Sequence, residues 1–433
     1  MDRGSSGTTK IGVSAAILSV GDELMLGQTQ DTNAKWLASR FAQHGVLVGE
    51  IRIVLDDVVA TESALRELAA RHDMIVMTGG LGPTEDDLTR EALRRAMDEV
   101  EPLQIDPQAL ADLDRWFIDR ARPMTDNNKL QALRPKGATC LQNILGTAPG
   151  LFATIGATRV WCLPGPPLEM KSMFDAQVAP HLPIVPMSTA AVHSFGQGES
   201  FLAQQLGPLM QRDRNPLIGT TASGSVVSAR IRGVQQEASE ASMETAMRQV
   251  EKLWAPYAFG RDQETLAGAL GKLLVSRGQR LSLAESCTGG LTGSLITAQS
   301  GSSAWFAGAA VTYANGAKMD VLQVPNDVLS MHGAVSAPVA LAMARGCVAL
   351  FKTEWAASIT GIAGPSGGSD AKPVGEVFIG ICGPRFEAVR RFRYPGDRAS
   401  IRDRSAKTAL ALLRFAILGN DAFTVPFIWE WSK

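Results

Sequence analysis

Short apolar runs alternate along the chain with segments whose apolar residues recur every three or four positions, the pattern of strands followed by crossover helices. AAILSV (residues 15–20) is almost wholly apolar and stops at Gly21, so it reads as a buried strand. Asp31-Thr32-Asn33 then offers an N-cap, and Trp36, Leu37 and Phe41 repeat at helical spacing until Gly45. VLVGEIRIVL (46–55) predicts a second strand, residues 61–71 a second helix, MIVMT (74–78) a third strand, and a third helix starts near Glu85. A β-α-β-α-β-α order needs crossovers, hence a parallel sheet with helices on both faces.

The pattern changes from about residue 181. A strand at 190–195, a helix from Glu199, two strands flanking Ser223-Gly224 and a helix over 236–253 describe a small α+β module. A KH-like nucleic-acid domain is one reading of that order. The module has no GxxG loop, however, and the six basic residues of 181–260 are matched by six acidic ones, so a spacer or dimerisation role fits better than direct nucleic-acid binding. From about residue 262 strands and helices alternate again, beginning with the amphipathic helix LAGALGKLLVSRG and a strand at 280–284, and closing with a helix through Leu410, Leu413 and Phe415. The expected fold class is therefore α/β: two α/β domains with parallel-type sheets (11–180 and 262–420) joined by a small α+β, KH-like module (181–261). The last segment, 421–433, carries Phe423, Phe427, Trp429 and Trp431 and is too apolar for a free tail, so it should pack on a neighbouring surface.

Composition narrows the function classes. Lys and Arg number 42 against 43 Asp and Glu, a balance that gives no global attraction to nucleic acid or anionic membranes. No apolar run approaches the ~18 residues that span a bilayer, and the polar opening MDRGSSGTTK lacks the apolar core of a signal peptide. Five dispersed cysteines and five dispersed histidines show no tight ligand spacing, which argues against a zinc site and for a disulfide-free chain. A cytoplasmic location is the expectation.

Two regions carry chemistry. TGGLGPTEDDLT follows a predicted strand and opens a helix. There Gly79, Gly80 and Gly82 can take positive φ and, with Thr84, bring backbone amides to a phosphate. Asp86 and Asp87 then fall in the first helical turn, where the helix dipole alone would favour an acid. Asp22 and Glu23 end one strand, and Asp56 and Asp57 another, at the edge where open parallel sheets bind ligands. Carboxylates beside a phosphate cradle suggest a divalent cation bridging them to a pyrophosphate. The ordered motifs GDEL, DTNA, TGGLGPTEDDLT, NKLQA, GTAPG and LPGPPLEM resemble the molybdopterin-binding-like domain that opens the competence/damage-inducible CinA family. The resemblance implies a MoaB/MogA-type fold and a metal-dependent ADP-ribose pyrophosphatase. Asp22, Asp56 and Asp87 would then hold Mg, Mn or Co, with K as a further candidate ion. Which aspartate binds metal and which orients water stays open.

The second region, LSLAESCTGGLTGSLIT, puts Ser286 between a buried strand and a helix, with Gly289 and Gly290 tightening the turn. A serine there can be a plain N-cap. AAVTYANGAK adds Tyr313 and Lys318 at a second strand end, and SITGIAGPSGG adds Thr360 and the amides of Gly361 and Gly364 at a third. No histidine lies in these motifs, so the serine's base would be a partly desolvated lysine, with tyrosine relaying the proton. Amides at the Ser286 turn can hold an oxyanion. Those near Gly289–Gly290 or Gly361–Gly364, with Arg398 and Arg402, can take a phosphate. Cys287, at a helix N-terminus, is the rival nucleophile. The string ESCTGG, GSSAWF, VTYANGAK, GAVSAPVA, TGIAGPSGG, KPVGEV and GDRASIR resembles the PncC-type nicotinamide mononucleotide amidase domain of CinA proteins. That resemblance places the family's functional serine, tyrosine, lysine and threonine on Ser286, Tyr313, Lys318 and Thr360, needs no cofactor for the amidase, and implies a homodimer acting on small nucleotides. Two alternatives remain from the residues: an enzyme handling molybdopterin nucleotides, and a competence or recombination adaptor that binds a protein such as RecA.

Overall fold

A computed structural model describes residues 13–183, 188–233, 240–419 and 423–431. The chain forms two compact units, residues 1–187 and 188–433.

In the first unit, β1 (Ser14–Val20), β2 (Leu47–Val54) and β3 (Met74–Thr78) are joined by helices α1 (Thr32–Gln43) and α2 (Val58–Ala69). Then come α3 (Thr89–Ala96), α4 (Pro107–Asp119), β4 (Thr139–Leu141), β5 (Gly150–Ile155), β6 (Thr158–Leu163) and α5 (Pro167–Met173). The sheet order is β2-β1-β3-β6-β5-β4. The first four strands are parallel, as the crossovers require, but β5 runs antiparallel to both of its neighbours, β6 and β4. The sheet is mixed because β5 and β6 are joined by a two-residue turn at Gly156-Ala157, and so short a link can only connect antiparallel neighbours. Leu37 and Phe41 of α1 are fully buried, Phe41 edge-on to Phe174 at 5.4 Å.

Two helix starts differ from expectation. Helix α2 begins at Val58 rather than Thr61, because the Asp57 carboxylate caps the Ala60 amide at 2.7 Å. Helix α3 begins at Thr89 rather than near Glu85. The Asp87 carboxylate accepts from the amides of Gly82 (2.6 Å) and Thr84 (2.7 Å), which closes residues 82–87 into a loop. Asp86 and Asp87 therefore lie before the helix, not in its first turn.

The second unit opens with β7 (Thr189–Phe195), α6 (Glu199–Leu206), β8 (Leu217–Ser223), β9 (Val226–Arg232), α7 (Glu240–Leu253) and β10 (Ala258–Arg261), forming an antiparallel sheet β8-β9-β7-β10. The expected start of α7 at 236 lies outside the described residues. Next come α8 (Leu266–Ser276), β11 (Leu281–Glu285), α9 (Leu291–Thr297), β12 (Phe306–Val311), α10 (Asn315–Leu322), α11 (Ala337–Phe351), β13 (Trp355–Gly361), β14 (Glu376–Gly383), β15 (Phe386–Arg393) and α12 (Arg398–Leu418). The sheet runs β12-β11-β13-β14-β15, parallel across the first three strands and antiparallel across the last two. Both large sheets thus place the carboxyl ends of their parallel strands at one edge. All five cysteines are free, and no described helix is long and apolar enough to cross a membrane.

The aromatic C-terminal segment is part of this unit's core. Phe427 is buried against Phe195, Phe392 and Phe415, and Trp429 lies against Phe195 and Tyr394. Residue Glu430 bridges to Phe392 of β15 and pairs with the Arg390 guanidinium, so the segment covers an otherwise open sheet edge. Phe427→Ala should lower unfolding stability by about 3–5 kcal/mol, read as a shift in the urea midpoint at unchanged slope.

Candidate active site

Ser286 follows β11 directly, and Lys318 lies in the first turns of α10. The two are 32 positions apart, and Lys318 Nζ lies 3.2 Å from Ser286 Oγ. Both are buried, the lysine at 1% exposure. Two further oxygens face the Nζ atom: the main-chain carbonyls of Thr312 at 2.8 Å and Tyr313 at 3.2 Å. Carbonyls only accept, and a neutral amine has two N–H bonds and one lone pair. As an ammonium it donates to all three oxygens; in the neutral form, with both N–H bonds on the carbonyls, the lone pair is what is left toward the serine hydroxyl. Burial also pushes the Lys318 ammonium below the ordinary lysine range, which favours that neutral form.

The other expected residues frame this pair. Tyr313 is 60% exposed, and its hydroxyl accepts from Arg398 at 3.0 Å rather than from Lys318. The Tyr313 phenol, in the loop before α10, is thus engaged with Arg398, and it is the residue's main-chain carbonyl that meets Lys318 Nζ. Arg398 also donates to the Gly364 carbonyl at 2.8 Å, tying two motif loops together, and Arg402 donates to the Thr288 carbonyl at 2.7 Å. Thr360, the penultimate residue of β13, donates to Ala334 O at 2.7 Å, and Gly361 ends that strand. Gly290 takes φ 90°, open to glycine, to enter α9. The expected phosphate contact from the Gly289 and Gly290 amides is not available, because Gly289 donates to the Ser286 carbonyl and Gly290 to the Glu285 carboxylate. Cys287 is buried, and desolvation pushes its thiol up to about 12, so it stays protonated at neutral pH. The hydroxyl oxygens of Thr288, Thr292 and Thr312 are buried without a protein partner among the described residues. Such groups carry a cost of about 1–3 kcal/mol each and concentrate where ligands act.

The first unit gathers its motifs at its own strand ends. Asn33 donates to Gly165 O (2.8 Å), Gln131 to Thr147 Oγ1 (3.2 Å), and Asn143 to Glu169 (2.7 Å), so DTNA meets LPGPPLEM, and NKLQA and LPGPPLEM both meet the stretch around GTAPG. Gly79 has φ 102°, and a Cβ there would stand 2.3 Å from Val20 O, so only glycine fits. Gly80 also has positive φ, but Gly82 does not. Glycine is needed at 82 because the Asp87 carboxylate occupies the Cβ direction. Thr84 donates through both its amide and its hydroxyl to Asp87.

Asp22 and Asp56 interlock: each amide donates to the other's carboxylate, at 2.9 and 3.0 Å. Burial raises the Asp56 carboxyl, and the negative charges of Asp22, Glu23 and Asp86 raise it further. Asp87 does not join the pair, because its oxygens are bonded within the glycine loop. No three His, Cys, Asp or Glu side chains among the described residues form a ready-made metal site.

Residues 16–184 match the family described as probable molybdopterin binding domain, 189–260 the damage-inducible protein CinA KH domain, and 263–417 the CinA C-terminal domain. A CinA-like protein of Synechococcus elongatus is 40% identical over 416 residues, spanning 93% of this chain and 98% of its own. The chain belongs to the CinA family. A second CinA-like protein, from Anaeromyxobacter sp. strain Fw109-5, is 39% identical over 409 residues, covering 93% and 98% of the two chains. The crystal structure of the competence/damage inducible protein from Agrobacterium tumefaciens is 39% identical over 35% of this chain and 93% of that one, with a TM-score of 0.35.

Two residues of this CinA-family chain were not singled out by the sequence. Glu285 is completely buried and accepts the amides of Gly290 (3.1 Å), Thr292 (3.1 Å) and Gly293 (2.8 Å). Arg90 is 4% exposed beneath the glycine loop, donating to the carbonyls of Leu81, Gly82 and Gln131, and desolvation lowers its guanidinium to about 10. The Glu preceding Ser286 and the Arg in DDLTREAL were the available signals. Each resembles an ordinary surface charge until burial is known.

Proposed function

We propose that this protein is a nicotinamide mononucleotide deamidase whose second unit hydrolyses the carboxamide to nicotinic acid mononucleotide and ammonia. The 3.2 Å approach of a buried lysine amine to a serine hydroxyl carries this reading. Ser286 Oγ attacks the carboxamide carbon as its proton passes to Lys318 Nζ. Lys318 returns that proton to the leaving nitrogen as the C–N bond breaks, releasing ammonia and leaving an ester on Ser286. Water, deprotonated by the again neutral Lys318, attacks the ester, and Ser286 recovers its proton. Thr312 and Tyr313 hold the amine through their carbonyls. The exposed Tyr313–Arg398–Gly364 contact lies where a nucleotide phosphate can approach a guanidinium. Ammonia and nicotinic acid mononucleotide should appear in equal amounts when the full chain is incubated with nicotinamide mononucleotide; no release of either overturns the assignment.

For the first unit the reading is hydrolysis of the ADP-ribose pyrophosphate with a divalent cation. The Asp22–Asp56 pair supports it: crowded carboxylates, one with a raised pKa, gain from a hard cation with oxygen ligands. Asp22 and Asp56 would hold the ion, which supplies charge neutralisation for the pyrophosphate. Arg90 adds a fixed positive charge below the loop, and Gly79 and Gly80 open the backbone toward a phosphate.

A further inference from the structure

Glu285 has no basic partner among the described residues, yet its carboxylate is fully buried. A charge in that position is tolerated only when hydrogen bonds replace its water, and three amides of the turn and first residues of α9 do so. Those amides bracket the segment that carries the nucleophile: Glu285 precedes Ser286, and the donors lie at positions 290, 292 and 293. The side chain thus closes the Ser286 turn into a loop with no freedom at either end. Its main-chain carbonyl also accepts the Thr312 amide at 2.8 Å, and the Thr312 carbonyl in turn holds Lys318. One residue therefore connects both ends of the Ser286–Lys318 contact. A further consequence concerns the amides left over. Gly289, Gly290, Leu291, Thr292 and Gly293 are all committed, whereas the amides of Cys287 and Thr288, directly after the serine, donate to no backbone carbonyl among the described residues, that of Cys287 meeting only its own thiol.

We propose that Glu285 is a positioning residue for the amidase reaction: it fixes the serine turn so that Ser286 Oγ meets Lys318 and the Cys287 and Thr288 amides face the developing oxyanion. The proposal rests on the deamidase reading. Glutamine has the same shape, but its amide nitrogen places a donor against a donor, opening one side of the brace without a change of volume. Glu285→Gln in the full chain should reduce kcat with nicotinamide mononucleotide about 100-fold, the cost of a displacement of roughly 1 Å at a reacting atom. KM should change less than about threefold, and the ascending limb of the pH profile should keep its midpoint, since Lys318 is untouched. Glu285→Asp, one methylene shorter with its charge kept, should lose less than Glu285→Gln and serves as the readout where the glutamine variant does not fold. A kcat within about threefold of wild type in either folded variant overturns the proposal, as does a loss in KM alone. Hydrogen exchange separates this from failure of the substrate assignment: residues 286–293 should exchange faster in Glu285→Gln whether or not the wild type releases ammonia. Unchanged exchange there overturns the brace itself, while a wild type that releases no ammonia overturns the substrate.

Discussion

Lys318→Met should reduce kcat for ammonia release about 1,000-fold, within the range expected when a general base is removed. Methionine fills a similar volume and stays buried, so the loss is chemical rather than structural. Lys318→Arg should fare no better, because guanidinium stays protonated and cannot accept the serine proton. The wild-type pH profile adds a signed test. Lys318 acts unprotonated, and burial lowers its pKa from the lysine value, so kcat/KM should rise with pH and level off below the ordinary lysine range. A profile that falls over that interval would show that the ammonium, not the amine, is the active form.

The second large effect is expected in the other unit. Asp22→Asn and Asp56→Asn should each reduce divalent-cation-dependent ADP-ribose hydrolysis about 100-fold, while ammonia release from nicotinamide mononucleotide is unchanged. The asparagine side chain still accepts the partner amide, so the interlocked turn is kept and only the charge is removed. Because Asp56 is raised by burial and by its acidic neighbours, its ionised form is lost earlier than an ordinary aspartate's as pH falls. Half-saturation by Mg or Mn should therefore rise on acidification at a higher pH than an isolated aspartate would give. Asp87→Asn tests a different function: Asp87 bonds the glycine loop, and its loss should appear first as a lower unfolding temperature.

The order of strands and helices was legible because central strands such as β1 and β3 are continuous apolar runs, the edge strand β2 alternates, and the crossover helices have a periodic face. The antiparallel edges of both large sheets were not, since β5 and β15 present local patterns that do not declare direction. The start of α3 was misplaced because an acidic residue before a helix and one inside its first turn have the same composition. Only the hydrogen bonds of Asp87 decide between them. At the serine site, residue types on separate strand ends were enough to single out Ser286 and Lys318, but not to orient Tyr313, which lies in the loop before α10 and whose phenol is held by Arg398 from a distant part of the chain. Glu285 and Arg90 escaped notice for one reason: burial of a charge is a property of the assembled sheet ends, and local sequence does not record it.

In the proposed reaction a hydroxyl reacts because an amine lies beside it. The most direct measurement is ammonia release from nicotinamide mononucleotide by wild type, Ser286→Ala and Cys287→Ala, assayed side by side at equal folded concentration. Ser286→Ala is expected at background, at least about 1,000-fold below wild type, with Cys287→Ala close to wild type. Undiminished release by Ser286→Ala, or loss in Cys287→Ala instead, would contradict it.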